Sequence, residues 1–371
     1  MILGCSEPIE LDEFDFDRVL IVDAVLTDEL IQHQVVLAYS FPLTGDEEER
    51  VSNALVKIED GAENCFDFDE ISPGIYQSQV AFRATTGETY ALSITTDEGN
   101  EYISTASNLI ESPAIDTVYQ RLLAIAPSTS DETGPGLQFF LDSESSETAN
   151  FFRFEWEETY KIETPLSSDF IYDPQLDSII PRPEPIHICY AGNRSQGIEI
   201  NSSVGSQENR LVEVPIRFIP SESIELQRRY SILVRQYAIS EEAHSFYRAF
   251  NEIAEGGGSL FDSQTGLIIG NISSVSDPTE VVLGFFELAG VSEKRVFFDV
   301  EEFDPSVRVD IPNECLTSNW IEPAEDELDF YLIRFRNQYE VIEEDPVKVV
   351  PRDCANCLEL GITSKPTFWI D

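Results

Sequence analysis

The residues of this chain that could do chemistry are six cysteines, three histidines and a large excess of carboxylates, and spacing sorts them. Cys5 follows Met1-Ile2-Leu3-Gly4 directly, and acidic, proline-bearing sequence opens at Glu7 and Pro8. Aliphatic and small residues ahead of a cysteine give a signal peptidase something to seat, and the thiol can take a diacylglycerol. The stretch has the form of a lipobox, with Cys5 expected as a lipid anchor and the rest of the signal expected upstream.

With Cys5 set aside, Cys65, Cys189, Cys315, Cys354 and Cys357 allow two bridges and one free thiol. Cys354-Ala355-Asn356-Cys357 has the spacing of a redox or half-zinc motif. No second CxxC accompanies it, and His33, His187 and His244 form no spaced ligand set, so zinc is not expected. Structural disulfides of an oxidising exterior are expected instead, with Cys189 and Cys315 as partners for Cys354 and Cys357 and the pairing left open.

Catalytic signatures are missing. There is no GxSxG, P-loop, HExxH or strand-to-helix GxGxxG. The run Gly256-Gly257-Gly258 follows a predicted helix rather than opening one, so it reads as a helix stop. A triad would need one of the three histidines as its base, and each reads as a surface or packing residue. In Asp12-Glu13-Phe14-Asp15-Phe16-Asp17 the acids lack the glycine of a calcium loop, and the stretch reads as a tether. No metal, cofactor or catalytic residue is expected. Carboxylate-based glycoside hydrolysis stays as the enzymatic alternative, because 70 acids supply many pairs and only their separation is diagnostic.

The elements that would position these residues are mainly strands. Between Arg18 and Pro113, short β-branched and aromatic segments alternate with turns such as Thr44-Gly45-Asp46 and Ser72-Pro73-Gly74. Expected strands lie at 18–23, 34–39, 54–58, 74–78, 89–94 and 101–104, the pattern of a small immunoglobulin or prealbumin-like β-sandwich. A larger β-rich domain is expected over 114–371, after a tether at 1–17 and the sandwich at 18–113. In it, alternation places Phe152, Phe154 and Trp156 inward, with Arg153, Glu155 and Glu157 outward. Residues 164–185 read as a long surface loop. A strand over 230–239 runs into a helix over 240–255, capped by Ser240 and stopped by the glycines, with Ala243, Phe246, Phe250 and Ile253 facing a sheet. Strands follow at 267–270, 281–286 and 295–299, and helical spacing links Leu328, Leu332, Phe335, Tyr339 and Ile342.

The charge limits the partners. A formal net charge of -47, from 23 basic and 70 acidic residues, repels nucleic-acid phosphates and anionic lipid headgroups. Hydrophobic residues still make up 42% of the chain, enough for a sizeable core rather than a disordered acidic tail. No run approaches the length of a membrane helix, so any membrane attachment is expected through the N-terminal lipid alone.

Several segments taken together resemble a known family. They are Cys5-Ser6-Glu7-Pro8, residues 20–28, Pro73-Gly74-Ile75-Tyr76, residues 87–92, residues 115–118, residues 230–237, residues 258–262, Gly270-Asn271-Ile272, residues 282–286 and the ending from Cys354 to Trp369. The resemblance is to a Bacteroidota group of outer-membrane lipoproteins catalogued only as a domain of unknown function, whose members are usually encoded beside SusC-like TonB-dependent receptors. It implies a lipid-anchored protein facing the cell exterior, with a SusC-like TonB-dependent outer-membrane protein as partner. It supplies no catalytic residues. Glu7, Glu10, Asp12 and Glu13 resemble the acidic export signal of such lipoproteins, and Thr117 and Ser178 lie in the Asp-Ser/Thr-aliphatic pattern of Bacteroidota O-glycosylation. The sequons at Asn193, Asn201 and Asn271 would matter only in a eukaryote. The expected function is a non-enzymatic capture, lid or structural subunit of a barrel. A surface glycoside hydrolase and an adhesin-like binding module are the alternatives.

Overall fold

The computed structural model describes residues 18–40, 49–127, 132–144, 146–255, 268, 270–310, 312–316 and 319–370. Cys5, the acidic tether and the glycine run at 256–258 lie outside the described residues.

The chain is mainly β. It opens with β1 (Leu20–Thr27), β2 (Gln34–Tyr39), β3 (Glu49–Arg50), β4 (Leu55–Asp60), β5 (Cys65–Ser72), β6 (Ile75–Ser78), β7 (Thr89–Thr95), β8 (Glu101–Ser104) and β9 (Ser107–Asn108). Then come β10 (Ile115–Leu123), β11 (Gly136–Ser143), β12 (Phe151–Glu163), β13 (Phe170–Asp173), β14 (Ser178–Pro181), β15 (Ile188–Arg194), β16 (Glu199–Ser202), β17 (Val214–Pro220) and β18 (Tyr230–Ile239). Helix α1 (Glu241–Glu255), β19 (Ile272–Ser274), β20 (Val282–Phe298), β21 (Tyr339–Glu344) and β22 (Val347–Pro351) complete it.

Two compact units divide these elements: Met1–Ser112 with Ala238–Val291, and Pro113–Tyr237 with Ser292–Asp371. The N-terminal segment of the first unit ends at Ser112. The contiguous second domain expected over 114–371 does not form, because α1, β19 and the first half of β20 group with the N-terminal strands.

In the first unit, the strands follow the hydrogen-bonded order β20-β1-β2-β6-β5-β4-β7-β8-β19, with β1 parallel to β20 and the pairs whose register is defined antiparallel. Alternation drives this arrangement. In β7, Tyr90, Leu92 and Ile94 are buried and their neighbours half-exposed. One apolar cluster takes residues from every strand of that path, so the sheet folds over on itself as a β-sandwich does. Tyr76 of β6 is fully buried because its hydroxyl is satisfied: it donates to the Val51 carbonyl at 2.7 Å and accepts from the Ala54 amide at 2.9 Å.

Strand β5 was missed from sequence, because only Phe68 among its eight residues is buried. The strands expected at 281–286 and 295–299 are one continuous β20, which runs through the polar stretch between them. The expected strand at 267–270 lies largely outside the described residues. Ser240 caps α1 as expected, its hydroxyl accepting from the Ala243 amide at 3.1 Å. Only the first half of the predicted apolar face packs: Ala243 is buried and Phe246 lies 5.4 Å from the Phe285 ring, whereas Phe250 and Ile253 are exposed.

The second unit holds β15-β12-β18 followed by the second half of β20, a three-stranded sheet β10-β11-β17 and a four-stranded sheet β14-β13-β21-β22. Two expectations change here. Arg153 is buried, not outward: it stacks over Tyr237 with 4.1 Å to the ring centroid and pairs with Glu155. The second helix is short, a helical stretch over 325–334 that gives way to β21, so Tyr339 and Ile342 lie on a strand.

Candidate functional site

The segment 164–185, expected as a loop, instead carries the β13-β14 hairpin. β13 pairs with β21, and β21 with β22. Together with the helical stretch at 330–334 these strands enclose a cavity of about 330 Å³, within the second unit. That is the lower end of the size of small-molecule pockets.

The inner wall is a polar network. Arg182 donates from Nε to the Ser168 carbonyl at 3.0 Å and from a terminal nitrogen to Ser168 Oγ at 2.9 Å and Glu340 Oε2 at 2.5 Å. Asn356 Nδ2 donates to Glu340 Oε1 at 2.5 Å. Glu340 is buried, and a buried carboxylate persists only with such partners. Arg352 is less well served. Its Nε lies 3.5 Å from Glu359 Oε1 and 3.9 Å from Glu340 Oε1, and it is buried with no hydrogen bond. Arg336, also on the lining, is exposed and makes no hydrogen bond, ion pair or ring contact among the described residues. Phe170, Tyr172, Tyr331 and Tyr339 supply flat walls, with Tyr331 and Tyr339 edge to face at 4.9 Å. A hydrogen bond donated to Asp177 at 2.6 Å pushes the Tyr172 phenol above its usual range.

Disulfides fix the far side. Cys189 is bonded to Cys357 and Cys315 to Cys354, so the two cysteines of the CxxC reach different partners. Arg352 and Asn356 sit on a segment pinned at Cys354 and Cys357. Cys65 is free and exposed.

The cavity brings in one carboxylate, Glu340, already held by Arg182 and Asn356, and so offers no pair for glycoside hydrolysis. The histidines lie elsewhere. His33 is buried with Nε2 3.0 Å from the Phe82 carbonyl, and burial lowers its pKa. His187 Nδ1 lies 3.1 Å from Ser167 Oγ, but the serine hydroxyl donates to Asp169 at 2.6 Å. The acid therefore holds the serine rather than orienting the histidine, which is not the order of a triad. Among the described residues no group of three or more His, Cys, Asp or Glu is placed to hold a metal, and no helix is long and apolar enough to cross a membrane.

Thr117 is half-buried in β10 and Ser178 exposed at the start of β14. All three sequon asparagines are engaged: Asn193 donates to Glu158 at 2.8 Å, Asn201 Oδ1 accepts from the Ser202 amide at 2.7 Å, and Asn271 bonds both ways with Phe286. The pocket arginines escaped the sequence reading. The signal available was scarcity: with 23 basic residues in all, Arg334 and Arg336 stand two apart, and Arg182 lies between two prolines in the segment expected as a long surface loop.

A family described as a domain of unknown function, DUF4249, matches residues 6–295. The chain belongs to the DUF4249 family. The DUF4249 match takes in the β13-β14 wall with Arg182 and stops within β20, before the β21-β22 wall with Arg336, Glu340 and Arg352. A search of curated proteins finds no match.

Proposed function

We propose that the chain is a surface-exposed outer-membrane lipoprotein, anchored through Cys5, that serves as a non-enzymatic capture subunit of a SusC-like TonB-dependent barrel. The observation that carries this reading is the family match, which opens at residue 6, immediately after the cysteine of the lipobox-like stretch. Two disulfides support an oxidising compartment. The cavity supports capture, because three arginines line it against one carboxylate, Glu340, which is already held by Arg182 and Asn356. In this reading Bacteroidota are the source.

Mass spectrometry of the native N-terminus tests the anchor. A diacylglyceryl Cys5 as the first residue is expected, and an unmodified Met1 on native protein would overturn it. Protease treatment of intact cells tests the outward orientation: cleavage without lysis is expected, and protection until lysis contradicts the surface assignment.

A further inference from the structure

The cavity bounded by β13, β21, β22 and the helical stretch at 330–334 has an electrostatic character opposite to that of the chain. Three arginines and one carboxylate line it in a protein of net charge -47. Arg182 is neutralised by Glu340. Arg352 is shared loosely between Glu340 and Glu359, and its buried Nε hydrogen has no acceptor. Arg336 has no partner among the described residues. A guanidinium on the lining with no internal partner keeps its donors for an acceptor group brought into the cavity. After internal pairing about one positive charge is left over, which suits a monoanion better than a dianionic phosphate. Apart from Asn337 and Asn356 the remaining lining is aromatic or aliphatic, with Phe170, Tyr172, Tyr331 and Leu332 forming walls for an uncharged body.

We propose that this cavity binds a small monocarboxylate with a flat or apolar body, its carboxylate taken by Arg336, with the Arg352 guanidinium adding positive charge, and its body laid against Tyr331 and Phe170. This deepens the capture role proposed above by naming the ligand class. An unanchored protein would bind equally well, so failure of binding and failure of anchoring are separate results. Arg352 sits on the disulfide-pinned segment, and Arg336 on the turn between the helical stretch and β21.

The test is a titration of the full chain by NMR or calorimetry at constant ionic strength, with benzoate as probe, benzamide as its uncharged counterpart and inorganic sulfate as an anion without a ring. Saturable binding of benzoate is expected, at least tenfold tighter than that of benzamide or sulfate. Arg336→Gln is expected to weaken benzoate about tenfold, the loss of one charge-assisted hydrogen bond. Arg334→Gln makes the same change in net charge off the lining and is expected to leave the affinity within about twofold. Arg336 has no internal partner to lose, so its variant should keep the parent melting temperature. No saturable benzoate binding, equal binding of benzamide, sulfate as tight as benzoate, or equal effects of the two variants would each overturn the assignment.

Discussion

Glu158 of β12 is a buried carboxylate of the second unit held by several partners. Its side chain is fully buried, yet Arg217 reaches it at 3.1 and 3.3 Å, Tyr230 donates at 2.8 Å and Asn193 at 2.8 Å. Burial and the adjacent carboxylate push the Tyr230 phenol well above its ordinary range. Removing the cation strands a buried charge, so Arg217→Ala should cost about 3–5 kcal/mol in urea unfolding. Tyr230→Phe deletes one donor of four and should cost only about 1–2 kcal/mol. Similar losses from both would show that the pair carries no special weight. His33 sets a pH dependence. Burial lowers its pKa, so the folded state resists the proton that the unfolded chain accepts. Its contribution is complete above pH 6.5, the unfolded value, and is lost as pH falls through 6.5 toward the lower folded value. His33→Gln should therefore flatten the stability profile in that window, measured by denaturant midpoints at several pH values. An unchanged slope would assign the dependence to other groups.

Among the elements, β20 and β19 show why the sequence segments that carry the resemblance are what they are. Gly284 adopts φ +119°, and a Cβ there would lie 1.9 Å from the Val22 carbonyl oxygen; one on Gly270 would lie 1.6 Å from that of Gly284. Asn271 then clamps Phe286, donating to its carbonyl at 2.9 Å and accepting from its amide at 2.8 Å. Gly284→Ala combines strain with a backbone clash and should cost about 3 kcal/mol or more, read by chemical denaturation. The disulfides act on the other unit. Replacing Cys315 and Cys354 together by serine should cost roughly 2–5 kcal/mol and weaken the probe affinity of the cavity, since Arg352 and Asn356 flank Cys354. Strands such as β2 and β8 were legible to the residue, because one face is buried and period-two alternation reports that directly. β5 was not, since only Phe68 among its eight residues is buried, and neither was the β13-β14 hairpin, whose prolines and acids mimic a loop.

Over the whole molecule, the charge of -47 is a standing repulsion that burial and pairing must overcome. Salt screens it, so the melting temperature should rise as sodium chloride is raised from about 10 mM to 150 mM, by roughly 2–4 °C for each kcal/mol relieved. Calorimetry showing no rise would place the acids too far apart to matter. The β class and the candidate cysteines were readable because composition and spacing are local signals. The discontinuous first unit and the arginine-lined cavity were not, because Arg182, Arg336 and Arg352 converge only once β13 pairs with β21, a contact across about 170 residues that no local pattern encodes. We propose a tethered partner of a TonB-dependent barrel. Its most direct test is purification of the native protein from detergent-solubilised membranes, with the co-eluting chains identified by mass spectrometry. The account predicts stoichiometric recovery of a SusC-like TonB-dependent barrel in the outer-membrane fraction. Consistent elution alone, or recovery from the soluble fraction, would contradict it.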